Sequence, residues 1–296
     1  MNYLSVSEIA AIWDLSERSV RNYCAQGRVP GAFLTGKTWS IPADAEKPAR
    51  SNAKKAIRNN LLTVLRKEQR DHTSGGIYHK IQVDLTYNSN HIEGSKLTMD
   101  QTRFIFETTT IDTGGETLPI DDIMETVNHF RAIDYIIDKA ESPLSSGLMR
   151  KLHRILKSST SESNKSWFAV GDWKKLPNEV GGQATTPPEE VEGQIALLLA
   201  RYDTKSHHSL EDIVSFHVTF ERIHPFQDGN GRVGRLIMFK ECLANGIVPF
   251  IIEDDMKLYY YRGLSEWDTE HGFLMDTCLT AQDRFEAALD YFRIEH

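Results

Sequence analysis

Residues 224–235 read HPFQDGNGRVGR, and this stretch contains the residue types that phosphate chemistry needs. His224 can accept a proton from an attacking hydroxyl group. Asp228 offers the hard oxygen that Mg²⁺ prefers, and Mg²⁺ needs only one or two carboxylates besides substrate phosphates. Arg232 and Arg235 carry guanidinium forks that suit phosphate oxygens. The stretch therefore predicts a site that holds a nucleotide phosphate and presents it to a nucleophile.

The elements on either side of this stretch would position its side chains. Apolar residues recur with helical spacing over 210–223, and Pro225 ends that helix because proline lacks an N–H and restricts the residue before it. Gly229, Asn230 and Gly231 form a loop, and the next helix continues from them. A glycine-rich loop that opens a helix offers backbone N–H groups and the positive end of the helix dipole to an anion. Its spacing fits neither a Walker loop nor a Rossmann turn.

The stretch resembles the signature of the Fic family, HPF-x-[DE]-GNGR-x-x-R, and agrees with it at all nine specified positions. The resemblance extends over roughly residues 77–265. NSNHIEGSKLT contains Ser89, Glu93 and Gly94 in the order of the family's inhibitory motif, [ST]-x-x-x-E-[GN]. Because this motif precedes the signature, it marks the class whose inhibitory helix lies on the N-terminal side.

Two further segments resemble parts of Fic domains that contact substrates. NEVGGQATTPPEEV is similar to the flap on which a target protein docks, and it supplies Val180 and Gly181 to the nucleotide side. LYYYRGL is similar to the segment whose paired tyrosines, here Tyr260 and Tyr261, border the adenine.

The resemblance implies a protein adenylyltransferase, a nucleotidyltransferase that moves AMP from ATP to a Ser, Thr or Tyr hydroxyl of a protein. His224 would be the general base, Asp228 would bind Mg²⁺, and Arg235 would hold the γ-phosphate. Phe226 would anchor the loop in the core. The α- and β-phosphates would be held by the loop and its first arginine, namely Gly229, Asn230, Gly231 and Arg232.

The inhibitory motif implies that the resting protein is self-inhibited. Glu93 would pair with Arg235, occupy its guanidinium fork and repel the γ-phosphate. ATP would then bind with its α-phosphate misaligned, and small misplacements are costly to a reaction rate. We therefore expect Glu93→Gly to release the activity.

The first 50 residues predict a separate small domain. Ser5 and Glu8 form a capping-box pattern ahead of one helix, Ser16 caps a second, and an alternating segment around Gly36 follows. This order resembles the winged helix-turn-helix domains of the excisionase and MerR type. DNA binding would use Arg18, Arg21, Asn22 and, on the wing, Lys37. A protein-docking or dimerisation element with the same fold is the alternative.

The uneven distribution of charge along the chain favours two parts with different partners. Residues 1–70 carry a formal charge of +6, and the remainder carries −14, within a total of −8. No run approaches the ~18 apolar residues of a membrane helix. The three cysteines, Cys24, Cys242 and Cys278, form neither a disulfide framework nor a zinc pattern, which favours a cytoplasmic protein.

Taken together, these sequence features predict a mainly α protein with three parts. A winged helix-turn-helix domain covers 1–50, a linker and leading helix cover 51–76, and a Fic domain covers 77–296 with its inhibitory helix near 85–94. A short hairpin is expected within 173–186 with a turn at Gly181 and Gly182. The buried faces of the helices are expected to include three structural histidines, His129, His153 and His217.

Several alternatives for function remain open at this point. The body could sense nucleotide for a DNA-binding regulator, or it could remove AMP or transfer another group. The phosphate-transferring Doc branch has lysine in place of Gly231, which favours adenylylation here. The expected partners are ATP, a protein target or the chain itself, duplex DNA at residues 1–50, no membrane, and a second copy in a homodimer.

Overall fold

The computed structural model describes residues 3–25, 27–35, 38–48, 55–115 and 117–296. The chain divides into two compact units: Met1–Asn52 with Leu258–Thr280, and Ala53–Lys257 with Ala281–His296. Helices dominate and the strands are short, which confirms the prediction of a mainly α protein. Gly36 and Lys37 lie outside the described residues.

The first unit begins with β1 (Tyr3–Leu4), α1 (Val6–Trp13), α2 (Glu17–Ala25), β2 (Phe33–Thr35) and β3 (Thr38–Pro42). Ser5 and Glu8 form the predicted capping box of α1, and the Ser16 hydroxyl accepts from the Ser19 N–H at the start of α2. β3 is the central strand, antiparallel to both β1 and β2. The buried faces of both helices share one small apolar core that includes Ile9, Trp13, Val20, Tyr23 and Ile41.

The second unit contains the helices that surround the signature stretch. They are α3 (Lys55–Asp71), α4 (Ile77–Ile92), α5 (Met99–Thr108), α6 (Ile120–Asp138), α7 (Ser146–Lys157), α8 (Pro188–Tyr202), α9 (Leu210–Ile223) and α10 (Asn230–Asn245). A hairpin of β4 (Glu179–Val180) and β5 (Gln183–Ala184) lies between α7 and α8. Two helices follow in the chain, α11 (Lys257–Ser265) and α12 (Gly272–Tyr291), and their residues 258–280 are assigned to the first unit.

Helix α10 is the centre of the second unit. Every residue from Asn230 to Leu243 is buried, and α10 packs against α3, α4, α6, α7 and α9. A helix that is covered on all sides is a core element, so its first turn is held in a fixed position by the surrounding helices. That first turn belongs to the signature stretch.

Two boundaries differ from the sequence prediction. The apolar spacing of LLTVLRKEQ predicts a leading helix from Asn60, but this helix begins five residues earlier, at Lys55, because Lys55, Ala56 and Arg58 are good helix formers. The helix predicted near 85–94 is α4, which begins earlier, at Ile77, and ends at Ile92 with Glu93 as its C-cap residue. The domain bounds 1–50 and 77–296 stay a prediction, since Leu258–Thr280 falls in the first unit. Within the described parts of the chain, no helix is long and apolar enough to cross a membrane.

Candidate active site

His224 stands in a strained backbone conformation at the end of α9. Its φ and ψ are 50° and 60°, in the left-handed region, and its N–H donates to the Phe220 carbonyl at 3.0 Å. A residue that precedes proline rarely adopts this conformation. Such strain persists only where the surroundings enforce it, and it is common at functional sites.

The imidazole of His224 is held in one tautomer. Its Nδ1 lies 3.2 Å from the Glu221 carbonyl oxygen, which can only accept, so Nδ1 carries the proton and Nε2 keeps its lone pair. Burial is the main cause that lowers the pKa of His224 below its ordinary value, and the positive charge of Lys174 lowers it further. The ring is therefore neutral at pH 7, the state that a general base requires.

The loop after His224 leads into a helix start without a side-chain cap. Gly229 adopts φ 82°, a conformation that favours glycine, and α10 begins at the next residue. No side chain caps this end, so its first N–H groups and the positive end of the helix dipole remain available to an anion.

Asn230 and Phe226 fix the shape of the loop. The Phe226 N–H donates to Asn230 Oδ1 at 2.8 Å, and Asn230 Nδ2 donates back to the Phe226 carbonyl at 2.9 Å. The fully buried Phe226 ring stacks on His153 at 4.1 Å between centroids. The Asn230 side chain, predicted to hold phosphate, is thus engaged within the loop. Its backbone N–H at the helix start remains the group that would face an anion.

We expect Asn230→Ala to destabilise the protein by about 1–3 kcal/mol, because it removes both bonds and leaves the buried N–H of Phe226 without the Asn230 acceptor. Chemical unfolding of this variant beside Gln227→Ala would measure the cost. Gln227 is a suitable control because it makes one loop contact, at 3.2 Å to the Leu176 N–H. Equal stability of Asn230→Ala and wild type would contradict this role.

Next to the loop, one almost fully buried lysine forms ion pairs with three carboxylates. Lys157 Nζ lies 2.5 Å from Glu125, 3.0 Å from Glu162 and 2.6 Å from Asp228. Arg232 pairs with the same Glu125, and with Asp228 at 3.2 Å. Despite burial, which acts in the opposite direction, these two cations hold the pKa of Asp228 far below its usual range. Asp228 is therefore ionised at any working pH.

Asp228 has the chemistry and the solvent exposure that its predicted role as a metal ligand requires. Its side chain is 45% exposed and its ionised carboxylate offers hard oxygen. Among the described residues, no group of three His, Cys, Asp or Glu side chains could hold a metal without other ligands. A Mg²⁺ ion at this place would consequently need phosphate oxygens as well as Asp228, which is its usual mode at nucleotide sites.

We expect Lys157→Met to lower the free energy of unfolding by about 3 kcal/mol at pH 7, since it leaves a cluster of carboxylates undercompensated. The folded-state pKa of Asp228 is depressed, so the stability from its pairing is present above pH ~4 and is lost as the pH falls further. The difference between variant and wild type should therefore shrink in acid. The control is Lys165→Met, which removes an exposed partner of Glu162 at 3.7 Å. Urea titrations of both variants at pH 7 and at a pH below ~4 would measure the two differences in unfolding free energy. Equal losses for both variants would contradict the account.

The predicted inhibitory contact is present. Arg235 Nη2 donates to Glu93 Oε1 at 2.7 Å and to the Ser89 carbonyl at 2.9 Å, and Arg235 Nε donates to Ser89 Oγ at 3.0 Å. Gly94, at φ 100°, follows the end of α4. Arg235 is buried, and Glu93 keeps about a quarter of its side chain exposed.

The Glu93 carboxylate also covers the start of α10. A Cβ atom placed on Gly231 would lie 2.3 Å from Glu93 Oε1 and 2.9 Å from Arg235 Nη1. No larger residue fits there while Glu93 is in place. The carboxylate therefore lies at the uncapped helix end and on an arginine at once, which is where an anionic phosphate would be most stabilised.

The other predicted site residues lie on the β4–β5 hairpin or in the first unit. Val180 and Gly181 are exposed at the turn of the hairpin. Tyr260 and Tyr261 belong to the first unit, where Tyr260 is buried and Tyr261 is 42% exposed. Arg18 and Arg21 are exposed on α2 and Asn22 is partly exposed; Arg21 pairs with Glu17 of the same helix. Lys37 lies outside the described residues.

Four charged residues of the site were not predicted from the sequence: Glu125, Lys157, Lys174 and Glu221. A signal for two of them was present, because Lys157 and Glu221 occupy positions on the buried stripes of α7 and α9. Burial raises the pKa of Glu221 to about 8. Its carboxyl is mostly neutral at pH 7, so the negative charge beside Arg235 comes from Glu93. The three predicted core histidines are all buried.

Comparison with known proteins agrees with this geometry. Residues 143–242 match the model of the Fic/DOC family. The chain is 29% identical over 195 residues to a Protein adenylyltransferase Fic from Nematostella vectensis, which covers 63% of this chain and 43% of that protein. It is 30% identical over 191 residues to the protein of the same name from Drosophila grimshawi, covering 60% and 36%. The chain thus spans less than half the length of these curated relatives.

A solved structure extends the likeness to the fold. The crystal structure of a Fic domain containing signaling protein from Bacteroides thetaiotaomicron is similar with a TM-score of 0.58 and 25% identity, over 78% of this chain and 90% of that one. The signature stretch, the helical core and these relatives thus all show a likeness to proteins of the Fic/DOC family.

Proposed function

We propose that the second unit is a protein adenylyltransferase that transfers AMP from ATP to a hydroxyl group of a protein. The observation that carries the proposal is the pairing of two features in one loop. His224 is a neutral base with a free Nε2 lone pair, and the uncapped helix that begins six residues later offers an anion site beside two arginines. The relatives named protein adenylyltransferase support the same activity.

The chemistry follows from where the charges would form. The target hydroxyl oxygen attacks the α-phosphorus, the bond from that phosphorus to the bridging oxygen breaks, and pyrophosphate leaves. The hydroxyl proton passes to His224 Nε2. Negative charge grows on the pyrophosphate, where Arg232, Arg235 and the N–H groups of Gly229 to Gly231 would stabilise it. A Mg²⁺ ion held by Asp228 and the phosphates would add positive charge at the same place.

We propose further that AMP transfer is inhibited in the conformation of this structure. The Glu93 carboxylate occupies the position on Arg235 that the γ-phosphate would need. A second anion there would be repelled, so ATP could bind only with a displaced phosphate chain. The carboxylate also ends a helix whose dipole disfavours a negative charge, so its place depends on Arg235 and on the start of α10.

The test uses three proteins: wild type, Glu93→Gly, and Glu93→Gly with His224→Ala. Each is incubated with Mg²⁺ and a cell lysate, and with ATP labelled at either the α- or the γ-phosphate. We expect protein labelling from α-labelled ATP alone, strongest in Glu93→Gly and lost with His224. Labelling from γ-labelled ATP would show phosphoryl transfer instead and refute the proposal. Loss of label from a previously labelled protein would identify AMP removal.

We propose separately that residues 1–50 bind duplex DNA through α2. A helix pair followed by an antiparallel strand pair, with Arg18 and Arg21 exposed on the second helix, supports this role. Titration of the full chain with duplex DNA at several salt concentrations should show binding that weakens with salt and with Arg18→Ala. Salt-independent or absent binding would favour a protein-docking element. The homodimer stays a prediction.

A further inference from the structure

Lys174 is a buried lysine that the reaction as described does not use. Only 3% of its surface is exposed, yet its ammonium has an acceptor for each of its three protons. Nζ donates to Asn178 Oδ1 at 2.7 Å, to Thr185 Oγ1 at 2.6 Å and to the Ile223 carbonyl at 3.5 Å. A buried cation that is costly to desolvate is retained here by a complete set of hydrogen bonds.

The first two acceptors are the residues that close the hairpin. Asn178 precedes β4 and Thr185 follows β5, and they bond to each other through the Thr185 N–H at 3.2 Å and Thr185 Oγ1 at 3.0 Å, both to the Asn178 carbonyl. The Lys174 ammonium thus lies at the base of the hairpin and holds its two ends together.

The remaining contacts of Lys174 reach the chain on both sides of His224. Nζ donates to the carbonyl of Ile223, and the Lys174 backbone N–H donates to the carbonyl of Pro225 at 2.8 Å. Asn178 Nδ2 adds a bond to the Phe226 carbonyl at 3.1 Å. The strained turn that carries the base is therefore tied directly to the hairpin.

We propose that Lys174 is a positioning residue that holds the His224 turn and the β4–β5 hairpin in one fixed arrangement, so that a hydroxyl presented along the hairpin meets the base. The inference rests on the proposed AMP transfer. In this inference, the Lys174 ammonium group connects the hairpin that would present the target to the turn that carries the base.

Charge gives Lys174 a second effect on the base. The groups that face His224 are Lys174, the Glu93 carboxylate from the end of α4, Asp228 from the loop and the Glu221 carbonyl from α9. After burial, Lys174 is the cation that disfavours the imidazolium form, whereas the two carboxylates favour it. Burial lowers the pKa of Lys174 itself to about 8, so the ammonium is still largely charged at pH 7.

The test compares Lys174→Met with Lys175→Met in the Glu93→Gly background. Lys175 is the adjacent, exposed lysine and serves as the matched control. We expect Lys174→Met to lower kcat/KM for the protein target roughly 10- to 100-fold, as a misplacement near 1 Å would, with no change in KM for ATP. The acidic limb of the pH–rate profile should move to higher pH, because a charge that adds to burial in lowering the pKa of His224 is gone.

Two further measurements separate this inference from a general loss of structure and from failure of the AMP-transfer proposal. NMR titration of His224 reports its pKa without any activity, and it should rise in Lys174→Met only. Thr185→Val keeps the charge but removes one acceptor, so it should slow transfer without shifting the titration. Lys174→Met with the same pH profile, His224 titration and KM values as Lys175→Met would overturn the inference, even if its melting temperature falls.

Discussion

Replacing Glu93 with glycine should raise the initial rate of AMP transfer on the order of 100-fold, the scale set by small misplacements of reacting groups. The carboxylate lies 2.7 Å from Arg235 and covers the start of α10 at Gly231, so its removal opens both parts of the anion site. The rate should be measured with saturating ATP and the same target for every variant.

Glu93→Gln is the matched control for this experiment. It preserves side-chain size and can still accept from Arg235, but it carries no negative charge. If charge repulsion of the γ-phosphate is the cause of inhibition, Glu93→Gln should regain much of the rate of Glu93→Gly. If steric coverage of the helix start dominates, Glu93→Gln should remain slow. Wild type as fast as Glu93→Gly would contradict inhibition by this contact.

Replacing His224 with alanine in the Glu93→Gly background should reduce the transfer rate by about 10²- to 10⁴-fold, the range of general-base catalysis. Binding of ATP should persist, because the helix start and Arg232 and Arg235 are unchanged. Equilibrium binding of a fluorescent ATP analogue to both variants would separate the two effects.

The pH dependence gives an independent check on His224. Its pKa lies below the ordinary value, so the neutral base should persist to a lower pH than a free histidine allows. The rate of Glu93→Gly should therefore stay constant on lowering the pH through ~6.5, the ordinary histidine value, and fall only below it. His217→Gln, at a buried histidine in the middle of α9, should keep that profile. A rate that falls with a midpoint near 6.5 would contradict the depressed pKa.

Much of the site could be predicted from the sequence because it is local. Residues 224–235 contain the base, the carboxylate, the glycines and both arginines in one segment that follows a helix of clear periodicity, α9, and runs into α10. Glu93 and Arg235 are 142 positions apart in the sequence, and only the resemblance to the family's inhibitory motif predicts their contact. Spacing alone could not have joined them.

The charged layer beneath and beside the loop could not be predicted in this way. Lys157 meets Asp228 across 71 positions, and Lys174 meets Ile223 across 49. These pairs form because helices α6, α7 and α9 pack around α10, and no local pattern encodes which charged side chains then meet. A lysine on a buried helical stripe is the only local sign, and it does not name its partner.

The most direct measurement is the intact mass of a target protein after incubation with the Glu93→Gly variant, Mg²⁺ and ATP. An increase equal to one AMP unit, absent when His224 is also replaced and weak with wild type, is the result that we predict. An increase equal to one phosphoryl group, or an AMP increase of the same extent with wild type and Glu93→Gly, would contradict the account of a Glu93-inhibited adenylyltransferase.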